Sequence, residues 1–115
     1  MSEPSAVTPL EAFTVLDMRV GRVLRAEPNA RARKPSYCLW IDFGPLGTRQ
    51  SSAQLTGRYA AEELPGTLVI AAVNLGARRI AGFVSDVLVL GVPDQEGRVT
   101  LLRPDADVPL GGRVY

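Results

Sequence analysis

The sequence has 115 residues, the size of one compact domain, and its 46% hydrophobic and 22% charged residues are typical of a globular protein. It contains no histidine and one cysteine, Cys38, which excludes Ser-His-Asp and Cys-His nucleophile pairs, imidazole zinc sites and intrachain disulfides. The net charge is +1, yet residues 18–82 carry ten basic against four acidic side chains, between two acidic ends. This basic middle indicates a surface for a polyanion, although arginine-rich composition can equally be a genome-wide bias.

The N-terminal region predicts a short frayed tail over residues 1–7 and a helix over residues 8–16. Thr8 is a typical N-cap, Pro9 suits the first helical position, and Glu11 completes a capping box. A helix this short must dock its apolar face on the same subunit or on a partner subunit.

The rest of the chain alternates between apolar and polar side chains in runs of strand length. A glycine, Gly21, is expected to mark a bulge or a sharp bend in the first strand, and residues 55–64 to form a helical or irregular crossover. The pattern predicts an all-β, β-rich domain with short helices: a five-stranded OB-fold Greek-key barrel over residues 17–103, with a C-terminal extension over 104–115. The predicted strands begin at Met18 and then cover 37–43, 48–53, 67–73, 87–92 and 99–102.

Side chains on the second predicted strand divide between its two faces. We expect Tyr37 in the core, and Trp40 with Cys38 on the less buried face. The free thiol is interpreted as a small hydrophobic side chain rather than a reactive group.

Motifs for nucleotide binding, hydrolysis, zinc and calcium are all missing from the sequence, so we predict no catalytic residue, no metal site and no cofactor. No apolar run reaches the roughly 18 residues of a membrane span. The first residues also lack the basic and apolar regions of a signal peptide. We therefore expect a cytoplasmic protein, not an enzyme, without membrane insertion.

Two polar segments are candidate binding regions. Residues 49–54 hold five hydrogen-bonding side chains in six positions, which suits contact with phosphate, sugar or peptide backbone, or merely keeps an edge strand soluble. Residues 74–85 carry Arg78 and Arg79 between two buried strands, where OB-fold loops commonly hold oligonucleotides. A solvated arginine pair is the alternative interpretation.

Several motifs resemble the tRNA-binding OB domains, found alone or fused to aminoacyl-tRNA synthetases. Asp17-Met18-Arg19-Val20-Gly21-Arg22-Val23 is similar to their D-x-R-V-G-x-[IV] opening, and Arg78-Arg79-Ile80-Ala81-Gly82 to their basic-pair element. Through residues 50–54 and 78–91 the chain most resembles the CsaA group of export-related, chaperone-like proteins. The resemblance implies a non-catalytic homodimer whose partners are tRNA, unfolded or pre-secretory polypeptides and the export machinery.

Carried over by position, the resemblance assigns tRNA or peptide contacts to Asn74, Arg78, Arg79 and Ser85, with Ser51, Ser52 and Gln54 as a polar lining. The residue pattern itself adds Arg49 and Phe83. Two other hypotheses remain open: a structure-selective tRNA-binding protein without a chaperone role, and an assembly factor that acts only through docking of its dimer.

Overall fold

The computed structural model describes residues 6–115, so most of the predicted tail, residues 1–5, lies outside the described part. Short 3-10 turns at Gly44–Leu46 and Ala61–Glu63 interrupt the chain where a turn and an irregular crossover are predicted. The elements are α1 (Pro9–Val15), β1 (Met18–Pro28), β2 (Tyr37–Asp42), β3 (Thr48–Ala53), β4 (Leu68–Ala72), β5 (Arg78–Ile80), β6 (Phe83–Ser85), β7 (Leu88–Val89), β8 (Gly91–Pro93) and β9 (Val99–Leu101).

Five of the strands form an antiparallel sheet in the order β3-β2-β1-β4-β7, and this sheet curls into a nearly closed barrel. The long strand β1 makes the curl possible, because its first half pairs with β4 and its second half with β2. The two ends of the sheet meet where the amides of Asp86 and Val87 donate to the carbonyl of Gln50, at 2.8 and 3.2 Å. The predicted five-stranded OB-like barrel is confirmed.

The barrel interior is built from the inward-facing side chains of β2, with Leu39 and Ile41 fully buried and Phe43 following them. Gly21 lies against this core, since a Cβ there would come within 2.5 Å of Ile41 and 2.7 Å of Phe43. The predicted bulge at Gly21 is wrong: the register shift falls between Val23 and Arg25. Gly21 leaves room for the core because it has no side chain; it does not mark an extra residue inserted into the strand.

The second strand also corrects one expectation about burial. Tyr37 is buried and Trp40 only half-buried, as expected, but Cys38 is also buried. The thiol lies on β2, where Cys38 is opposite Glu27 of β1 on one side and Ser52 of β3 on the other. Burial raises the pKa of Cys38, an effect that the charge of Glu27 reinforces, so the group stays a thiol at neutral pH.

The single strand predicted over residues 87–92 is in fact two strands. The chain leaves the barrel after β7, and β8 pairs with β9 in a separate hairpin. Gly91 stands at the crossing, where a Cβ would lie 2.5 Å from Val99. The continuous apolar run in the sequence does not show that the paired strand changes from β4 to β9 within it.

Residues 74–85, expected as a loop, contain the β5–β6 hairpin. Its two-residue turn is Ala81-Gly82, with φ of 49° and 82°. Two successive positive φ values are those of a type I′ turn, which matches the twist of the paired strands. Asn and Asp are the residues that usually indicate this turn at its first position. Because the chain has Ala there, the sequence does not predict the turn.

Both ends of the described chain lie beside β1. Helix α1 is capped by Thr8, whose hydroxyl accepts from the amide of Glu11 at 3.1 Å, and none of its side chains is buried. The C-terminal segment 111–114 runs along the first half of β1, where the amides of Gly111 and Val114 donate to the carbonyls of Val20 and Met18. Within residues 6–115, no helix is long and apolar enough to span a membrane.

Candidate ligand-binding groove and basic surface

A groove of about 800 Å³ opens between the loop after β1 and the hairpins that leave the barrel. Its floor is apolar, and its walls carry polar groups from the loop and from the end of β3. The volume is within the range of about 300–1,000 Å³ usual for ligand sites. We call this site the groove; its lining is Arg31, Ala32, Arg33, Lys34, Ser36, Ser52, Ala53, Gln54, Leu55, Ile80, Ala81, Leu88, Val89, Gly91 and Val99.

Three cations, Arg31, Arg33 and Lys34, form the rim of the groove. All three are exposed, and none makes an ion pair with another residue of the described chain. Arg31 is the most fixed, because its guanidinium packs on the hairpin turn: a Cβ at Gly82 would lie 2.5 Å from its Nη1. Among residues 6–115, no acidic side chain lines the groove, so the rim cations have no acidic partner in the described lining.

The wall of the groove contains an unsatisfied polar group. Ser36 is only 5% exposed, and its hydroxyl has no hydrogen-bond partner within residues 6–115. A buried hydroxyl without a partner costs about 1–3 kcal/mol of stability. Its oxygen has less than 1 Å² of exposed surface, so a ligand in the groove does not reach it.

The two hairpin arginines, Arg78 and Arg79, are exposed, and their guanidinium groups make no hydrogen bond or ion pair within the described part of the chain. Arg78 lies opposite Ser85, whereas Arg79 lies opposite Val84. Opposite residues of an antiparallel pair share a face. Since Ser85 is buried and Val84 exposed, Arg79 stands on the outer face of the hairpin.

Phe83 docks this hairpin on the barrel. Its ring meets Trp40 edge-on, with 5.5 Å between centroids, and the guanidinium of Arg25 lies over the other ring at 4.3 Å. The amide of Gln50 joins the same cluster, with its oxygen 2.9 Å from Nε1 of Trp40 and its nitrogen 3.3 Å from the carbonyl of Val84. Packing within the protein accounts for Phe83.

The polar strand β3 separates into inner and outer positions. Ser51 is fully buried, which removes it from any contact surface. Ser52 donates its amide to the hydroxyl of Ser85 at 2.9 Å, a contact that ties the hairpin to the barrel. Arg49 is paired with Asp86 at 3.1 Å. Of the predicted polar lining, Ser52 and the exposed Gln54 reach the groove.

Asn74 lies at a junction of chain segments, away from the groove. Its side chain accepts from the amide of Asp17 and donates to the carbonyl of Val15, both at 2.9 Å, so it holds α1 to the end of β4. The Asp17 carboxylate in turn binds Arg19 at 2.6 Å and approaches Arg113 at 3.6 Å. The hydrogen bond from Arg19 and the charges of both arginines lower the pKa of Asp17.

The rim lies within residues 28–35, which the sequence indicates as a polar, basic connection containing Arg31, Arg33 and Lys34. Sequence reasoning did not predict that these cations border a groove, nor that Ser36 is buried. Their position beside an apolar floor depends on the hairpin that folds against them, and the sequence does not show that contact.

Comparison with known proteins agrees with this architecture. Residues 18–113 match the family described as "putative tRNA binding domain". Over 104 residues the chain is 35% identical to methionine-tRNA ligase of Methanosarcina acetivorans, and the match covers 90% of this chain but only 14% of the ligase. The chain therefore spans about a seventh of the synthetases that it matches.

Solved structures extend the match to whole proteins. The chaperone CsaA of Bacillus anthracis is 46% identical with a TM-score of 0.83, over 96% of this chain and 100% of that one. CsaA of Picrophilus torridus is 39% identical with a TM-score of 0.87, over 94% and 99%. The sequence resemblance is thereby confirmed: the chain belongs to the tRNA-binding-domain family, and within it to the CsaA type.

Proposed function

We propose that this protein is a non-catalytic, cytoplasmic, homodimeric binding protein that holds unfolded or pre-secretory polypeptide segments in the groove and also binds tRNA. The groove carries the proposal, because it combines an apolar floor with polar groups at the end of β3 and with rim cations that make no ion pair among the described residues. Such a surface binds an extended segment by burial of its apolar side chains and by main-chain hydrogen bonds. Similarity to proteins named as CsaA chaperones supports it.

The size of the groove suits brief capture rather than tight binding. Burial of one apolar side chain contributes about 1.5–3 kcal/mol. Ordering a flexible segment offsets much of what two or three such side chains supply. We therefore expect a protein that delays aggregation and releases its client, with no covalent chemistry.

The test is a charge placed on the groove floor. Leu88 is 50% exposed and lines the groove, whereas Leu24 is equally exposed and lies outside it. Leu88→Asp should weaken suppression of aggregation of a denatured substrate by several-fold, because the carboxylate must be desolvated against the client. Leu24→Asp is the matched control. Equal protection by both variants, or no protection by the wild type at stoichiometric dimer, would contradict the proposal.

A tRNA-binding protein without a chaperone role is the second candidate. The observation in its favour is the exposed pair Arg78 and Arg79, which is free to contact phosphates, on a chain related to synthetase domains. Phosphate contacts make binding strongly dependent on salt, whereas apolar capture is not. Salt therefore separates the two candidates.

Dimerisation has its own support. Leu10 and Phe13 lie on the same side of α1 and are 75% and 41% exposed, which is unusual for an ordered helix of seven residues. We propose that a second copy of the chain covers this apolar side of α1. A dimer of this kind would also suit a factor that docks on the export machinery.

A further inference from the structure

We infer that the groove selects polypeptide segments in which a carboxylate stands beside apolar side chains. The inference rests on the proposed polypeptide binding and names the class of segment that is bound. It concerns the rim of the groove, which the predicted site residues do not include.

The rim supplies the charge preference. Arg33 and Lys34 are exposed, unpaired among the described residues, and face no acidic side chain in the lining. A bound Asp or Glu would pair with them, while a bound Lys or Arg would meet like charge. Each exposed ion pair changes affinity by about two- to fivefold, so two pairs give a preference of roughly tenfold at low salt.

The lining favours a polypeptide over RNA as the occupant. Nucleobases bind single-strand sites mainly by stacking on aromatic side chains, and no aromatic residue lines the groove. The floor residues Leu55, Val89 and Val99 instead match aliphatic side chains. RNA phosphates on the rim are the competing outcome that the experiment must detect.

The experiment measures the affinity of the full chain for three labelled peptides by fluorescence anisotropy. The peptides share their apolar residues and carry Glu, Gln or Lys at the same two positions. The wild type should bind the Glu peptide about tenfold more tightly than the Lys peptide at low salt. Arg33→Gln with Lys34→Gln should reduce this difference several-fold, because only Arg31 of the rim remains charged, and should leave the Gln peptide unaffected. Arg58→Gln with Arg103→Gln removes the same charge from exposed positions outside the groove and should preserve it.

Equal affinity for the three peptides would overturn the charge inference while the proposed function stands. Failure of all three to bind would overturn both. If Arg33→Gln with Lys34→Gln abolished tRNA binding without changing the peptide order, the rim would belong to RNA and the inference would be wrong.

Discussion

At Gly21 in strand β1, any side chain would collide with the core, because Ile41 and Phe43 lie within 2.7 Å of a Cβ built there. Gly21→Ala should therefore lower the free energy of unfolding by about 1–3 kcal/mol, the usual cost of overpacking. Gly57→Ala is the control, since its Cβ would meet only the flexible side chain of Arg98, at 3.2 Å. Urea denaturation of both variants measures the difference. Equal stability of the two would show that the core has room at Gly21.

Asp17 stabilises the junction of α1, β1 and the C-terminal segment, and its contribution depends on pH. The hydrogen bond from Arg19 lowers its pKa below the ordinary value of 3.8 in the folded state. Ionised Asp17 thus stabilises the fold above that value, and the effect is lost as pH falls through the folded-state pKa. Asp17→Asn should destabilise the protein at neutral pH, and the difference from wild type should shrink below pH 3.8. A difference that is constant with pH would contradict this role.

Single residues show where sequence reasoning stops. The sequence shows a concentration of hydrogen-bonding side chains at 49–54 and an arginine pair within 74–85, but residue identity does not say which side chains face inward. Ser51 is buried and Asn74 bonds within the fold, because both meet backbone groups contributed by distant segments. Ser36, in contrast, carries no sequence signal at all, since its lack of a partner is a property of the folded wall.

Among the elements, the barrel strands were predictable and the outer hairpins were not. Strands such as β2 and β4 form the barrel wall, so their residues either alternate between apolar and polar types or are apolar throughout. The residue pattern of these strands therefore indicates which side chains are buried. The β5–β6 hairpin is held instead by a few specific contacts, such as Phe83 on Trp40 and Ser52 on Ser85. Such contacts join residues far apart in sequence, and no local pattern predicts them.

Helix α1 provides the test of the dimer. If a second copy covers its apolar side, Leu10→Asp with Phe13→Asp should shift the sedimentation mass from dimer to monomer, since two carboxylates would be buried without partners. Val92→Asp changes a side chain that is 51% exposed on β8 and should leave the mass unchanged. A dimer that survives the helix substitutions would place the interface elsewhere.

At the scale of the whole molecule, the charged and apolar surfaces lie at different places. The net charge of +1 does not show that exposed cations, unpaired among the described residues, lie on the groove rim and on the outer face of the β5–β6 hairpin, on either side of the apolar floor. This arrangement allows a segment with apolar side chains and a polyanion to use neighbouring surfaces. It also means that salt affects the two ligands differently.

The central claim is that the groove captures polypeptide by apolar burial while the arginines bind tRNA. The most direct measurement is one equilibrium titration of the same preparation with an unfolded, uncharged peptide and with tRNA, at about 50 and 200 mM salt. We expect peptide affinity to change little between the two salts. The tRNA affinity should fall steeply, with a slope that Arg78→Ala and Arg79→Ala together reduce by about 2. Absence of peptide binding at both salts, or tRNA binding that neither salt nor these substitutions weaken, would contradict the account.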